Sequence, residues 1–336
     1  MKKNTLALFF LLVALFFLFF YPSKKDAPYT HNEGRVFGTF YSLTYQHPEG
    51  EDLHQEVISA LQQLDTSLSI FNDSSVIALI NSNQSTQTDE LFRQMFQQAQ
   101  AVSEATHGAF DITVAPLVDL WGFGRGTRKQ VTQAEVDSIR QWVGFHKLDL
   151  QNNLLIKSHP QIRLDASAIA KGLGVDVALK CLQDKGCINA MVEIGGEVAC
   201  CGLNPNGEAW KVGINKPVND TTGTDKSLER ILHLTNIAVA TSGNYRQFYY
   251  QDGKKYAHTI DPRTGYPASH SLLSATVIAP SCMEADAWAT AFMVLGVDSA
   301  LNICESQPEL DCFLIYENEQ GEIASLQSSE FTRRTN

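Results

Sequence analysis

Asp286 and Thr290 stand four residues apart in Ser-Cys-Met-Glu-Ala-Asp-Ala-Trp-Ala-Thr-Ala-Phe-Met-Val-Leu, 281–295, a stretch that reads as a helix. That spacing puts a carboxylate and a hydroxyl one turn apart on one face. Two hard oxygens so stacked suit a magnesium-type cation, which keeps waters and draws the rest of its shell from substrate phosphates. Asp286 near a helix start is also stabilised by the dipole alone, and Thr290 can bond back to a carbonyl one turn earlier; spacing by itself leaves both readings standing. Upstream, Lys-Lys-Tyr-Ala-His-Thr-Ile-Asp-Pro-Arg-Thr-Gly-Tyr-Pro, 254–267, reads as a strand running into a turn. Tyr256, His258 and Ile260 would line one face and Ala257, Thr259 and Asp261 the other. Asp261-Pro262-Arg263-Thr264-Gly265 has turn chemistry: an acceptor side chain, a preset φ and a glycine. His258 and Asp261 would then lie at a strand end, where side chains meet a ligand.

The elements that must position these groups are readable along the chain. Val36–Tyr45 alternates like a strand. Helical spacing marks 52–67, through Leu53, Val57, Leu61 and Leu64, and 89–106, through Phe92, Met95, Phe96 and Ala99. Thr132-x-x-Glu135 is a capping box. Leu148–Lys157 and Gln161–Leu164 look like paired strands. Asp165 could cap a helix whose free N–H groups would suit a phosphate, with Lys171 as a cation further on. Ile188–Cys201 reads as a buried strand interrupted by Gly195-Gly196, the mark of a bulge or of close backbone approach. Further strands are expected at 210–215, 230–235, 238–241 and 312–316, and a helix at 297–306. Thr241-Ser242-Gly243 is a polar turn, facing a ligand or merely closing a hairpin. Strands and helices alternate without regular βαβ units, which predicts an α+β fold of mixed, largely antiparallel sheets with packed helices.

The 336 residues carry a formal charge of −11, which argues against a nucleic-acid partner. An acidic protein holding a pyrophosphate gains from a bridging divalent cation. Lys2 and Lys3 precede an apolar run from Thr5 to Tyr21, close to the roughly 17–25 residues of a spanning helix. With no small-x-small cleavage site before Pro22 and no Cys before Cys181, it reads as an uncleaved signal anchor. The domain plan is an anchor at 1–21, a linker at 22–35, a catalytic domain at 36–327 and a loose tail at 328–336. The seven Cys show no zinc spacing, and their pairing cannot be deduced.

His-Thr-Ile-Asp-Pro-Arg-Thr-Gly-Tyr-Pro followed by Glu-Ala-Asp-Ala-Trp-Ala-Thr-Ala resembles the ApbE family, the FAD:protein FMN transferases. The likeness runs from about Val36 to about Leu295 and takes in Gly108-Ala109-Phe110-Asp111, Asp165–Gly172, Glu193-Ile194-Gly195-Gly196-Glu197 and Ala240–Tyr245. The resemblance implies an ApbE-like, T-fold-related domain that binds FAD as substrate, requires Mg²⁺ and moves FMN onto a threonine. It assigns Mg²⁺ to Asp286, Thr290 and the carbonyl of Ala168. It assigns FAD to Ala109, Phe110, Asp111, Asp165, Lys171 and Ile260, and to Phe37 and Phe71, where the family more often has Met and Tyr. Around Gly195-Gly196 the family usually has Asn and Asp; Glu193 and Glu197 stand there and are left out of the first-rank site. Phe71 reads equally well as core.

On this reading a target threonine attacks the FMN-side phosphorus of FAD and AMP leaves. His258 is the candidate general base, since an imidazole titrates near neutrality; Asp261 is the alternative base or an orienter of the turn. The implied partner carries an Asp-x-x-Thr-x-Ala-(Ser/Thr) motif and belongs to a membrane redox complex. The implied location is the inner membrane, with the domain on the periplasmic side. Two rivals remain: an FAD pyrophosphatase giving FMN and AMP, and a non-catalytic flavin binder.

Overall fold

The computed structural model describes residues 27–124, 126, 130–217, 227–244, 248–251 and 254–335. The expected anchor at 1–21 lies outside them, and no helix among the described residues is long and apolar enough to cross a membrane.

One eight-stranded sheet organises the chain: β1 (Thr30–Val36), β2 (Thr39–Gln46), β3 (Asn189–Ile194), β4 (Glu197–Cys201), β5 (Ile237–Gly243), β6 (Leu272–Ala279), β7 (Asp311–Glu317) and β8 (Ile323–Gln327). Each strand pairs antiparallel with the next, so spatial order equals chain order. Side chains alternate between the faces. On β7, Cys312 and Leu314 join the helical core, while Phe313 and Ile315 join the opposite one. The first face carries α1 (His54–Leu68), α2 (Glu90–Ala105), α3 (Ala170–Asp184), α4 (Cys282–Leu295) and α5 (Val297–Ser306). The second is covered by a ribbon, Trp210–Asn215 paired with Leu228–Leu234, whose Trp210, Ile214, Leu232 and Leu234 pack on Val198, Val239 and Ile278. The expected α+β class with antiparallel sheets and packed helices is the observed one.

Why these helices form is local. Val57, Leu61, Leu64 and Leu68 make the buried stripe of α1. Asp89 caps α2 by accepting from the Phe92 amide at 2.8 Å. The capping box at Thr132 and Glu135 is present and opens the helix Gln133–Arg140. In α4, Ala285, Ala287, Ala289 and Ala291 are buried on every side, as a helix apolar all round must be. It packs on β5, β6, α2, α3 and α5.

Several expectations are corrected. The strand at 36–45 is a hairpin whose first arm starts at Thr30, inside the expected linker; that arm is half exposed at the sheet edge and so lacks apolar alternation. The stretch 188–201 is not one bulged strand but two, β3 and β4, turned at Gly195-Gly196. Both glycines have positive φ (+66 and +105), as a two-residue hairpin turn requires. Leu148–Gln151 and Leu154–Lys157 do pair, but 161–164 forms no strand: the Asn81 side chain serves both the Leu164 N–H (2.7 Å) and its carbonyl (2.9 Å). The polar tail is not loose. Phe331–Thr335 is helical, Phe331 is fully buried against Phe313 with rings 5.5 Å apart, and Arg334 pairs with buried Asp311 at 2.7 Å. All seven cysteines are free thiols.

Phe331→Ala should therefore cost about 3 kcal/mol or more, the range for emptying a buried aromatic site, read as a lowered urea midpoint; a loose tail would leave the midpoint unmoved.

Candidate active site

Helices α3 and α4 hold each other by their ends. Asp176 of α3 accepts from the amides of Cys282 and Met283 at the start of α4, both at 2.8 Å. Asp286 of α4 accepts from the Gly172 amide in the first turn of α3 at 3.0 Å. Each carboxylate thus satisfies N–H groups that a helix start leaves without an internal partner, and each lies in the favourable end of the other helix's dipole. The contact needs Gly172: a Cβ there would meet the Cys282 carbonyl oxygen at 2.3 Å.

Asp286 is 2% exposed, which makes it a buried carboxylate in the middle of an apolar helix. One of its oxygens serves Gly172; the other lies 3.6 Å from the Lys171 ammonium. Lys171 is closer to Glu197, at 2.6 Å. Burial alone would lower the Lys171 pKa, but Asp286 and Glu197 outweigh it and hold the ammonium charged well above its ordinary range. Burial pushes Glu197 up to about 7 and Asp286 adds to this, against the pull of Lys171. One turn along α4, the Thr290 hydroxyl stands 3.2 Å from that of Ser242 on β5. These groups line one cavity of about 560 Å³, together with Ala168, Asp111, Ile260 and His258.

The donor set fits Mg²⁺. A buried carboxylate, a threonine hydroxyl and the backbone carbonyl of Ala168, a residue of the same cavity, are all hard oxygens.

That cavity adjoins a second of about 660 Å³, lined by Phe37, Leu64 and Leu68, and a third of about 440 Å³, lined by Asn81, Asp119 and Arg163. Ile70, Phe71 and Asp165 border all three. Phe71 is 82% exposed at this junction, which excludes the core reading and leaves its ring face open to a planar ligand. Phe37 sits at the β1–β2 turn with φ +51 and packs onto α3, where a Cβ on Gly174 would crowd its ring. Ala109, Phe110 and Asp111 are buried in the wall. Burial raises the Asp111 pKa, and its hydrogen bonds oppose this. The carboxylate accepts from the Thr113 hydroxyl (2.7 Å), the Thr113 amide (2.8 Å) and the Phe145 amide (2.7 Å), so it braces the cavity floor. Asp165 is not a helix cap: α3 begins at Ala170, and Asp165 instead accepts from the Ser167 amide at 2.8 Å.

The strand expected across 254–261 breaks. Lys254–Ala257 pairs with Phe248–Gln251, Ile260–Asp261 pairs with Tyr266–Pro267, and His258 and Thr259 form the bend between. The bend carries His258 into the cavity, edge-on to Phe123 at 6.4 Å. Below it a small aromatic cluster fixes the turn: Trp121 donates to the Gly265 carbonyl at 2.8 Å and lies 5.5 Å from the Tyr256 ring. Asp261 is not among the cavity-lining residues, although Ile260 and Pro262 on either side are. Its carboxylate accepts from the Arg263 amide, Nε and Nη2, each at 2.9 Å. These bonds orient the turn. Sequence reasoning left Glu197 out of the wall, and it read Thr241-Ser242-Gly243 as a turn where the structure has the end of β5, lining the cavity. The signal for Glu197 was a carboxylate directly after a Gly-Gly hairpin turn.

A meander sheet under a helical layer is an architecture shared with flavin transferases of known structure. Flavin transferase ApbE from Vibrio cholerae matches with a TM-score of 0.82 at 35% identity, covering 92% of this chain and 99% of that one. Flavinyl transferase ApbE from Pseudomonas stutzeri, in its apo form, matches with a TM-score of 0.82 at 29% identity, covering 92% and 98%. The FAD:protein FMN transferase of Haemophilus influenzae is 36% identical over 327 residues, 93% of either chain. The ApbE family model matches residues 37–314, and the chain belongs to the ApbE family.

The helix-end lock gives a pH dependence. Burial is the first cause that pushes Asp176 up to about 6. The folded state therefore keeps a proton that the unfolded chain releases near pH 4, so this group's stability contribution is full below that and is lost as pH rises through about 6. Urea unfolding at pH 4 and pH 6.5 in EDTA should show the wild type losing about 2 kcal/mol more than Asp176→Asn.

Proposed function

We propose that this chain is an FAD:protein FMN transferase, which takes FMN from FAD, places it on a threonine hydroxyl of a target protein and releases AMP. Relatives of that name match it along nearly their whole length. One observation carries the site assignment: Ala168 at the head of α3, Asp286 and Thr290 of α4, and His258 of the bend all line one cavity.

Asp286, Thr290 and the Ala168 carbonyl would hold Mg²⁺, which when bound supplies Lewis-acid neutralisation of phosphate charge. Lys171 offers a charged ammonium in the same wall. Phe71 and Phe37 offer ring faces to the flavin, and Ala109, Phe110, Asp111, Asp165 and Ile260 shape the rest of the FAD site. The target threonine oxygen bonds to the FMN-side phosphorus while the bond from that phosphorus to the bridging oxygen breaks. AMP leaves with the bridging oxygen, and His258 accepts the threonine proton. Asp261 holds the turn through Arg263, so that His258 is delivered to the reacting oxygen.

The N-terminal run at 1–21 is proposed to hold the enzyme on the periplasmic side of the inner membrane. There it would meet a redox-complex subunit carrying the Asp-x-x-Thr-x-Ala-(Ser/Thr) motif. What supports this is Lys2 and Lys3 ahead of the apolar run.

The test mixes the full chain with FAD, Mg²⁺ and a target fragment, and follows AMP and a fluorescent, covalently flavinylated band. Both should appear and both should vanish with EDTA. AMP without the band marks a hydrolase; neither product despite bound FAD marks a binder. His258→Gln should slow transfer by about 10²–10⁴, the range for a lost general base, with FAD affinity unchanged.

A further inference from the structure

Asp286 has one oxygen that no backbone amide holds. Its Oδ2 is committed to the Gly172 amide at 3.0 Å, a bond that also holds α3 to α4. Oδ1 is thus the oxygen more open to a divalent cation, and the Lys171 ammonium already stands 3.6 Å from it. An ammonium and a divalent cation cannot both neutralise one buried oxygen, because like charges repel strongly where water is excluded. The structure contains a second claim on the ammonium. Glu197 is 4% exposed, lines the same cavity, and takes Lys171 at 2.6 Å, a full ångström closer than Asp286 does. Its backbone is fixed at the first residue after the Gly195-Gly196 turn, so its reach is set by the hairpin and not by a mobile loop. Its other oxygen, Oε2, is buried with no hydrogen-bond partner. Nothing in the reaction above uses Glu197.

We infer that Glu197 is a positioning residue: it draws the Lys171 ammonium off Asp286 Oδ1 and so keeps that oxygen open to the divalent cation. The inference rests on the reading of Asp286 and Thr290 as cation ligands. Glu197 itself need not touch the ion. It sets where the positive charge of Lys171 waits, and without it the ammonium would settle on the one free oxygen of Asp286 and compete with the metal.

A double-mutant cycle separates this from a plain loss of negative charge. Mn²⁺ binding to the full chain is measured by the paramagnetic resonance signal of the free ion, in the wild type, Glu197→Gln, Lys171→Met and the double variant. Glu197→Gln should weaken Mn²⁺ binding about tenfold when Lys171 is present and less than about threefold when residue 171 is Met, a coupling within the usual range for contacting charges. Should Glu197→Gln not fold, Glu197→Asp, which keeps the charge but shortens the reach, is measured in the same two backgrounds and should show the same pattern. An equal loss in both backgrounds overturns the inference, because charge removal acts whether or not the ammonium is there. A wild type with no saturable Mn²⁺ site overturns the functional reading and this inference with it, whereas a wild type that binds beside a Glu197→Gln that binds equally well overturns the inference alone.

Discussion

Two carboxylates, each closing the start of the other's helix, fix the geometry from which the site follows. Asp176 reaches from α3 to the first amides of α4, and Asp286 reaches back from α4 to the first turn of α3. Helix starts buried without such partners would leave N–H groups orphaned, at a cost of roughly 1–3 kcal/mol each. The exchange also fixes the two helices in translation, since a shift of either breaks bonds at both ends. Gly172 permits the approach, and the Cys282 carbonyl at its back leaves no room for a side chain. Ala168 and Lys171 at one helix start are thereby set in register with Asp286 and Thr290 on the other. The lock belongs to the fold, yet one of its two carboxylates is also the group best placed for chemistry.

Buried charge is costly unless paired, and the cavity wall gathers two carboxylates around one ammonium. Charges here are arranged as a chain, Glu197 to Lys171 to Asp286, with an unsatisfied oxygen at the Glu197 end. A core built only for stability would replace this with apolar side chains of similar size. Stability instead comes from the layers around the cavity. The apolar α4 sits in the middle of the helical face, the Trp210 ribbon closes the other face, and the aromatic cluster around Trp121 supports the turn that carries His258. The charged chain is backed by these packed layers and faces the cavity, and its members keep separations that differ by an ångström.

Much of this could be read from the chain before any coordinates. The helical stripes at 57–68 and 92–102, the capping box at Thr132 and the apolar helix at 282–295 followed from periodicity and capping chemistry alone. The i, i+4 pairing of Asp286 with Thr290 was visible in the same way. What escaped was set by partners distant in sequence. Asp165 resembled a cap, but the helix it would have opened starts five residues later. The strand through His258 looked continuous because alternation persists across a bend that only the pairing partners reveal. Gln161–Leu164 looked like a strand because its backbone groups are served by an asparagine side chain, which periodicity does not register. The tail at 328–335 looked loose because its anchors, Phe331 on Phe313 and Arg334 on Asp311, hold it to a strand earlier in the chain. Glu193 and Glu197 were indistinguishable as letters; the hairpin turn between them sends one to solvent and the other into the wall.

Strand order in the main sheet follows chain order, with the helices as excursions from it. During vectorial synthesis each new strand can therefore join the growing edge of a sheet already begun, with no earlier strand to be displaced. The helix bearing Asp286 emerges only after β6 is in place, and α3 waits until then with its first-turn amide unanswered. A nascent chain released before residue 282 would possess most of the sheet and neither Asp286 nor Thr290. The cavity wall is thus completed late in the chain, when the second helix arrives to close the first.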